Sequence, residues 1–203
     1  GAKLTASITP NDNGGSGFPF SLALDDTGDI LVVGEGSRED IGFPGSTRIY
    51  NRENSIWIEK QKLIGTGNIG DSNQGYSVAI SGNGNTLAIG GPNDNGVRGA
   101  VWIFTKNVNI WSQVTKLSGT VINGFFGADV ELNVVGDVLM VGAYGADNTY
   151  IYVKKNSIWT ISNAGTFGTI LTAQSIVIPT GLGKRLAMNG DGTRQIALST
   201  IGD

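Results

Sequence analysis

The chain offers few side chains that could do chemistry. It has 203 residues with no histidine and no cysteine. Without histidine it lacks the commonest general base, the usual zinc ligand and the Ser-His-Asp triad. Without cysteine it lacks disulfides, thiolate metal sites and thiol nucleophiles. Carboxylates and arginines remain. A hydrolase built from them needs a carboxylate pair, or an Asp-Tyr-Arg constellation, gathered at one point of the fold. Asp25, Asp26 and Asp29 do cluster, but within one short turn-like stretch. Arg38, Arg48, Arg52, Arg98, Arg185 and Arg194 fall at unlike places, apart from Arg38 and Arg98, which share a loop type. No enzyme is expected from this inventory. Trp57, Trp111 and Trp159 each follow a polar turn. Packing between sheets is the plain reading of these tryptophans, and a platform for stacking a sugar is the sharper one.

The bulk composition describes the elements that must position these groups. Charged residues make up 15% of the chain, well below the usual quarter, and 32 residues are glycine. The glycines are scattered among Val, Ile, Thr, Ser and Asn, which is the composition of many short strands joined by tight turns. The net charge is −3 with no basic stretch, so no general grip on nucleic-acid phosphates is expected. No apolar run approaches the length of a membrane span. The chain contains no N-x-S/T sequon.

An internal repeat organises the chain. FSLALDDTGDILVVGEG from Phe20, YSVAISGNGNTLAIGGP from Tyr76 and ADVELNVVGDVLMVGAY from Ala128 share one pattern. Each is an alternating strand, a polar turn and a second strand ending in glycine. Those glycines are Gly34, Gly90 and Gly142, spaced 56 and 52 residues apart. Downstream, STRIYNRENSIW, AVWIFTKNVNIW and TYIYVKKNSIW end at Trp57, Trp111 and Trp159. A further partial unit, RLAMNGDGTRQIALS, begins at Arg185.

One unit therefore holds four strands, a to d, with a period of two throughout. In the second unit the strands are expected near 77–80, 86–90, 100–104 and 110–117. Four antiparallel strands repeated about every 50 residues predict an all-β fold, a β-propeller of four-stranded antiparallel blades. The apolar runs LVVG, LAIG and LMVG are expected to be covered on both faces by neighbouring blades. The expected division is a last strand of a preceding blade at 1–16, blades at 17–65, 66–119 and 120–168, and a partial blade at 169–203. Three full blades and a partial one make an open ring. Its edges call for pairing with the remainder of a larger propeller, the favoured reading, or for about four blades that close on themselves or pair with another chain.

The units resemble FG-GAP repeats, the blades of integrin-α-type propellers. Phe126-Gly127 stands at the FG position, and Gly142-Ala143 and Gly90-Gly91-Pro92 stand at the GAP position. Gly34-Glu35-Gly36 and Ser199-Thr200-Ile201 depart from it. The resemblance implies calcium in the a–b turn in some blades. Here Asp25-Asp26-Thr27-Gly28-Asp29 is too short to wrap the ion, and its counterparts lack the acids. Tight hairpins are the reading, and no cofactor is expected. The b–c and d–a loops, which share one face of a propeller, then present the candidate contacts. These are Glu39, Asp40, Asp71, Asn73, Asn93, Asp94, Arg98, Tyr144 and Asp147. The expectation is a non-catalytic recognition or adhesion module that binds a protein or glycan partner through that face. It would be extracellular, on a cell surface or in a virion. A structural assembly protein of a virion or surface layer and a lectin-like or glycan-processing propeller are the alternatives.

Overall fold

The computed structural model describes residues 19–36, 44–163, 183–193 and 195–198. The strand expected within 1–16 lies outside the described residues, as do Glu39 and Asp40.

Among the described residues, fourteen strands are arranged as the repeat requires. The first sheet holds β1 (Pro19–Leu24), β2 (Ile30–Glu35), β3 (Ser46–Glu53) and β4 (Ile56–Leu63). The second holds β5 (Ser77–Ile80), β6 (Thr86–Gly91), β7 (Ala100–Asn107) and β8 (Ile110–Ser118). The third holds β9 (Asp129–Leu132), β10 (Val138–Ala143), β11 (Asn148–Lys155) and β12 (Ile158–Asn163). A two-stranded sheet of β13 (Arg185–Met188) and β14 (Gln195–Leu198) follows. Strands pair antiparallel in chain order within each sheet. Among the described residues the helical segments are single turns, at Asp94–Val97 and Tyr144–Ala146. The fold is thus an all-β array of propeller blades, as expected. No closed ring forms among the described residues.

Successive sheets stack face to face through their apolar residues. We call the face turned to the next sheet leading and the opposite face trailing. Ile30, Val32 and Ile49 on the leading face of the first sheet pack against Val78, Ile80, Leu87, Ile89 and Trp102 on the trailing face of the second. Ala79, Ala88, Val101 and Ile103 then meet Val130, Leu139, Val141 and Tyr152 of the third. Met140 and Ile151 meet Leu186 of the last. β6 is buried along its whole length, which is why TLAIGG has no polar alternation.

The repeated glycines explain how closely the blades approach. A Cβ on Gly90 would collide with the carbonyl oxygen of Gly127, and one on Gly34 or Gly142 with that of Gly75 or Gly183. The three strand-ending glycines therefore occupy equivalent places. Gly75 and Gly127 also donate their backbone N–H to the carbonyls of Gly90 and Gly142, at 3.0 and 2.9 Å. Any side chain here would push neighbouring blades apart.

Packing also accounts for the tryptophans. Trp111 and Trp159 are buried, each within the core between its own sheet and the one before. Gln61 on β4 holds the Trp111 backbone with both ends of its amide, donating to the carbonyl at 3.0 Å and accepting from the N–H at 2.9 Å. Trp57, at the same place in the first sheet, is only half-buried.

Candidate functional site

The a–b turns and the loops lie at opposite ends of the blades. The turns are closed by their own side chains. Asp25 Oδ1 accepts from the N–H groups of Asp29 and Ile30, and Oδ2 accepts from the Thr27 hydroxyl. Burial works against ionisation of Asp25, but those hydrogen bonds and the charge of Lys106 outweigh it and hold the carboxyl below its ordinary value. Ser81 Oγ and Asn133 Oδ1 fill the same role in the next two turns. Gly28, Gly84, Gly136 and Gly192 supply the positive φ each turn needs. Among the described residues, no three acidic side chains gather as metal ligands would.

At the other end, the loops join into a strip. Ile69 donates its N–H to Asp94 Oδ1 at 2.8 Å, and Asn93 donates its N–H to the Ser72 carbonyl. Phe125 and Phe126 donate to the carbonyls of Val97 and Arg98. Phe125 stacks on Tyr144 at 4.5 Å, and Lys184 lies 5.8 Å from the Tyr144 ring. The sequence-predicted contacts take unlike places in this strip. Asp94 is buried, with Oδ2 paired at 2.7 Å to Lys116, whose ammonium also covers the Trp102 ring. Arg98 is half-buried and donates to the Asn95 carbonyl. Asp71 is half-buried, and its Oδ1 has no hydrogen-bond partner among the described residues. Asn73 and Asp147 hold left-handed turn conformations, and Asp147 is exposed. Tyr144 is half-buried, and burial together with nearby Tyr76 raises its hydroxyl pKa.

A different group departs from the repeat. The first strands of the four sheets carry Ser21, Ser77, Asp129 and Arg185 at one register position, and Ala23, Ala79, Glu131 and Ala187 two residues on. Both positions face the leading side. Ser21 and Ser77 donate their hydroxyls to the carbonyls of Gly75 and Gly127, at 3.1 and 2.9 Å. Asp129 instead accepts the Leu186 N–H at 2.8 Å and the Val130 N–H at 3.1 Å. Burial raises the Asp129 pKa, against the pull of the Leu186 N–H, Arg185 and the Val130 N–H.

Glu131 stands where the other units have alanine. It makes no hydrogen bond or ion pair among the described residues. Burial, with the Asp129 charge two residues away, pushes its carboxyl up to about 7. Two residues along a strand put the two carboxyl-bearing Cα atoms about 7 Å apart on one face. Lys184 lies beside Tyr144 at the mouth of the same junction, and the Arg185 charge reaches Asp129. A carboxyl poised near neutrality can take a proton from water and return it to a leaving oxygen. Sequence reading missed this pair, because Glu131 passes for an ordinary polar residue in an alternating strand.

No family model and no curated protein matches the chain. Solved structures do. One is a candidate 6-phosphogluconolactonase from Bacteroides uniformis, 12% identical, with a TM-score of 0.52, covering 73% of this chain and 40% of that one. Another is a candidate 6-phosphogluconolactonase from Bacteroides fragilis, 14% identical, with a TM-score of 0.56, covering 73% of this chain and 39% of that one. The chain thus spans about two fifths of the length of the structures it matches. Both neighbours are named for catalysis on a sugar lactone. That overturns the expectation of a non-enzyme, which rested on the missing histidine and cysteine and the scattered carboxylates and arginines. It also overturns that of a recognition or adhesion module, which rested on the polar loop face and the family resemblance. Asp25, Asp26 and Asp29 lie in a turn, whereas the carboxyl suited to proton transfer, Glu131, sits on a strand. At this identity the likeness itself establishes the shared blade arrangement and nothing finer.

Proposed function

We propose that the chain forms the blades of a sugar-processing hydrolase that opens a phosphorylated sugar lactone, with Glu131 as its acid–base group. The observation that carries the reading is the replacement of a repeat alanine by a half-buried carboxyl whose pKa lies near neutrality. The shared blade arrangement with two candidate 6-phosphogluconolactonases supplies the reaction class. Lactone hydrolysis asks little of a protein. Ionised Glu131 takes a proton from a water that adds to the ring carbonyl. The ring C–O bond then breaks, and protonated Glu131 returns the proton to the departing oxygen. Asp129 keeps its neighbour's affinity for that proton high, and Lys184 and Arg185 provide positive charge at the junction mouth for a phosphate.

The test is hydrolysis of 6-phosphogluconolactone, followed by acid release and corrected for the spontaneous rate. The chain is expected to exceed that rate, with an activity that rises through about pH 7 as Glu131 ionises. Glu131→Gln should lower the rate by about 100-fold or more while the circular dichroism stays unchanged. A rate equal to the spontaneous one, or full activity in the Gln variant, overturns the assignment.

A further inference from the structure

Two further departures from the repeat fall at the junction that holds Asp129 and Glu131. The chain has two methionines, and both are there. On the second strands, Met140 stands where the first two sheets have Val32 and Ala88. On the first strands, Met188 stands where the other three sheets have Leu24, Ile80 and Leu132. Met140 comes from the third sheet and Met188 from the last, and they join one apolar cluster with Ile151, Leu186 and Val138. Two polar ties bracket this joint. The Leu186 N–H donates to Asp129 Oδ2 at 2.8 Å, and the Val134 N–H donates to the Gly190 carbonyl at 2.7 Å. Along their strands, Glu131 and Met188 each stand between the two ties.

A thioether differs from the aliphatic side chains it replaces in one reaction. It can be oxidised to a sulfoxide and restored by reduction. The chain has no cysteine, so no thiol competes for a peroxide. Exposure separates the two methionines. Met140 is 1% exposed, whereas Met188 is half-buried. Reaction follows access, so Met188 is oxidised first. Its new oxygen is a hydrogen-bond acceptor, and no side chain of the cluster can donate to it. The modified side chain is therefore stable facing water. Once it leaves the cluster, Met140 and Leu186 lose their packing partner, and the last sheet loses part of its hold on the third.

We propose that Met188 is a reversible oxidation site, and that its sulfoxide loosens the joint around Asp129 and Glu131. The oxidant is a peroxide. A lone pair on the thioether sulfur attacks one peroxide oxygen, the O–O bond breaks and an S–O bond forms. Sulfur is oxidised and the peroxide is reduced. The proton on the transferred oxygen passes to the departing hydroxide, which leaves as water. Methionine sulfoxide reductases reverse the change. The modification stands apart from the hydrolytic reading, which supplies only its consequence for turnover.

The experiment treats the folded chain with hydrogen peroxide. Peptide mass mapping follows each methionine, and hydrogen exchange follows the Leu186 amide, which reports the tie to Asp129. Met188 is expected to oxidise before Met140, and the Leu186 amide should then exchange about tenfold faster. Hydrolysis of the lactone should fall in step, and reductase treatment should restore both. Met188→Leu carries the residue type of Leu24 and Leu132 and should keep the amide slow under peroxide. Met140→Leu should leave the response in place. Equal oxidation rates at the two methionines overturn the proposal. An unchanged Leu186 amide in the Met188 sulfoxide overturns it too, as does an accelerated one in peroxide-treated Met188→Leu. Faster exchange with a lactone rate that never exceeds the spontaneous one supports the oxidation site and removes the hydrolytic reading instead.

Discussion

The junction between the first and second sheets and the junction between the third and last are built on one plan and differ in chemistry. At the first, Ser21 and Ala23 are small, and the space between sheets is filled by Ile30, Val32, Val78, Ile80 and Trp102. At the last, Asp129 and Glu131 occupy those two small-residue positions, and Met140, Ile151 and Leu186 form a smaller apolar cluster beside them. The glycine approach is the same in both, Gly34 to Gly75 and Gly142 to Gly183. The backbone frame therefore tolerates a change of side-chain chemistry at a single joint. One junction is built for cohesion, and the other gives up cohesion to hold two half-buried carboxyls.

The largest expected effect breaks the cohesive junction. Trp102 is fully buried, and its indole N–H donates to the Thr66 carbonyl at 2.9 Å. Trp102→Ala removes the side chain and leaves a cavity between two sheets that cannot collapse without moving the glycine contacts. It should cost about 3–5 kcal/mol in denaturant unfolding. A cost below about 1 kcal/mol would mean that the first junction does not hold the sheets together.

The middle effect sharpens the contrast at the other junction. Glu131 binds its proton more tightly in the folded chain, near pH 7, than in the unfolded chain, near 4.5. Its contribution is therefore harmless below 4.5. Stability is lost as the pH rises from there to 7, and the penalty is complete above 7. Glu131→Gln should raise stability at pH 8 by on the order of 2 kcal/mol and change little at pH 4. An equal effect at both pH values would point to packing rather than charge. If the Gln variant is both more stable and slower on the lactone, the carboxyl is held at the expense of stability for its chemistry.

Much of this contrast was open to sequence reading, and the reason it was missed is physical. In the second unit the strands expected at 77–80, 86–90, 100–104 and 110–117 form Ser77–Ile80, Thr86–Gly91, Ala100–Asn107 and Ile110–Ser118. Period-two alternation and turn glycines decide where strands begin and end, and both are local properties. Burial of Glu131 is not local, since it depends on a sheet more than fifty residues away. Asp94 is the converse case. A polar residue in an Asn-Gly-rich loop reads as solvated, yet Lys116 on β8 and the Ile69 N–H enclose it. Aligning the first strands of the units does expose Glu131 among alanines, and that column carried the usable signal.

The smallest effect lies at the end of the third sheet, where the comparison becomes a matter of one side-chain oxygen. Asn133 Oδ1 accepts the N–H groups of Gly136, Asp137 and Val138, at 2.9, 3.0 and 3.0 Å. In the second sheet Ser81 Oγ accepts only two, from Asn85 and Thr86, at 3.3 and 3.0 Å. Asn133→Ser transplants the second turn into the third sheet. The shorter side chain keeps the contacts that a hydroxyl can reach and frees one backbone N–H to water at the partly open turn. The cost should be about 0.5–1 kcal/mol, the net worth of one such hydrogen bond. Asn133→Ala removes the acceptor of all three N–H groups and should cost more, about 1–2 kcal/mol. Thermal unfolding of the pair orders them. If serine is as costly as alanine, the turn depends on the reach of the amide, and the two hairpins are not interchangeable despite their common backbone.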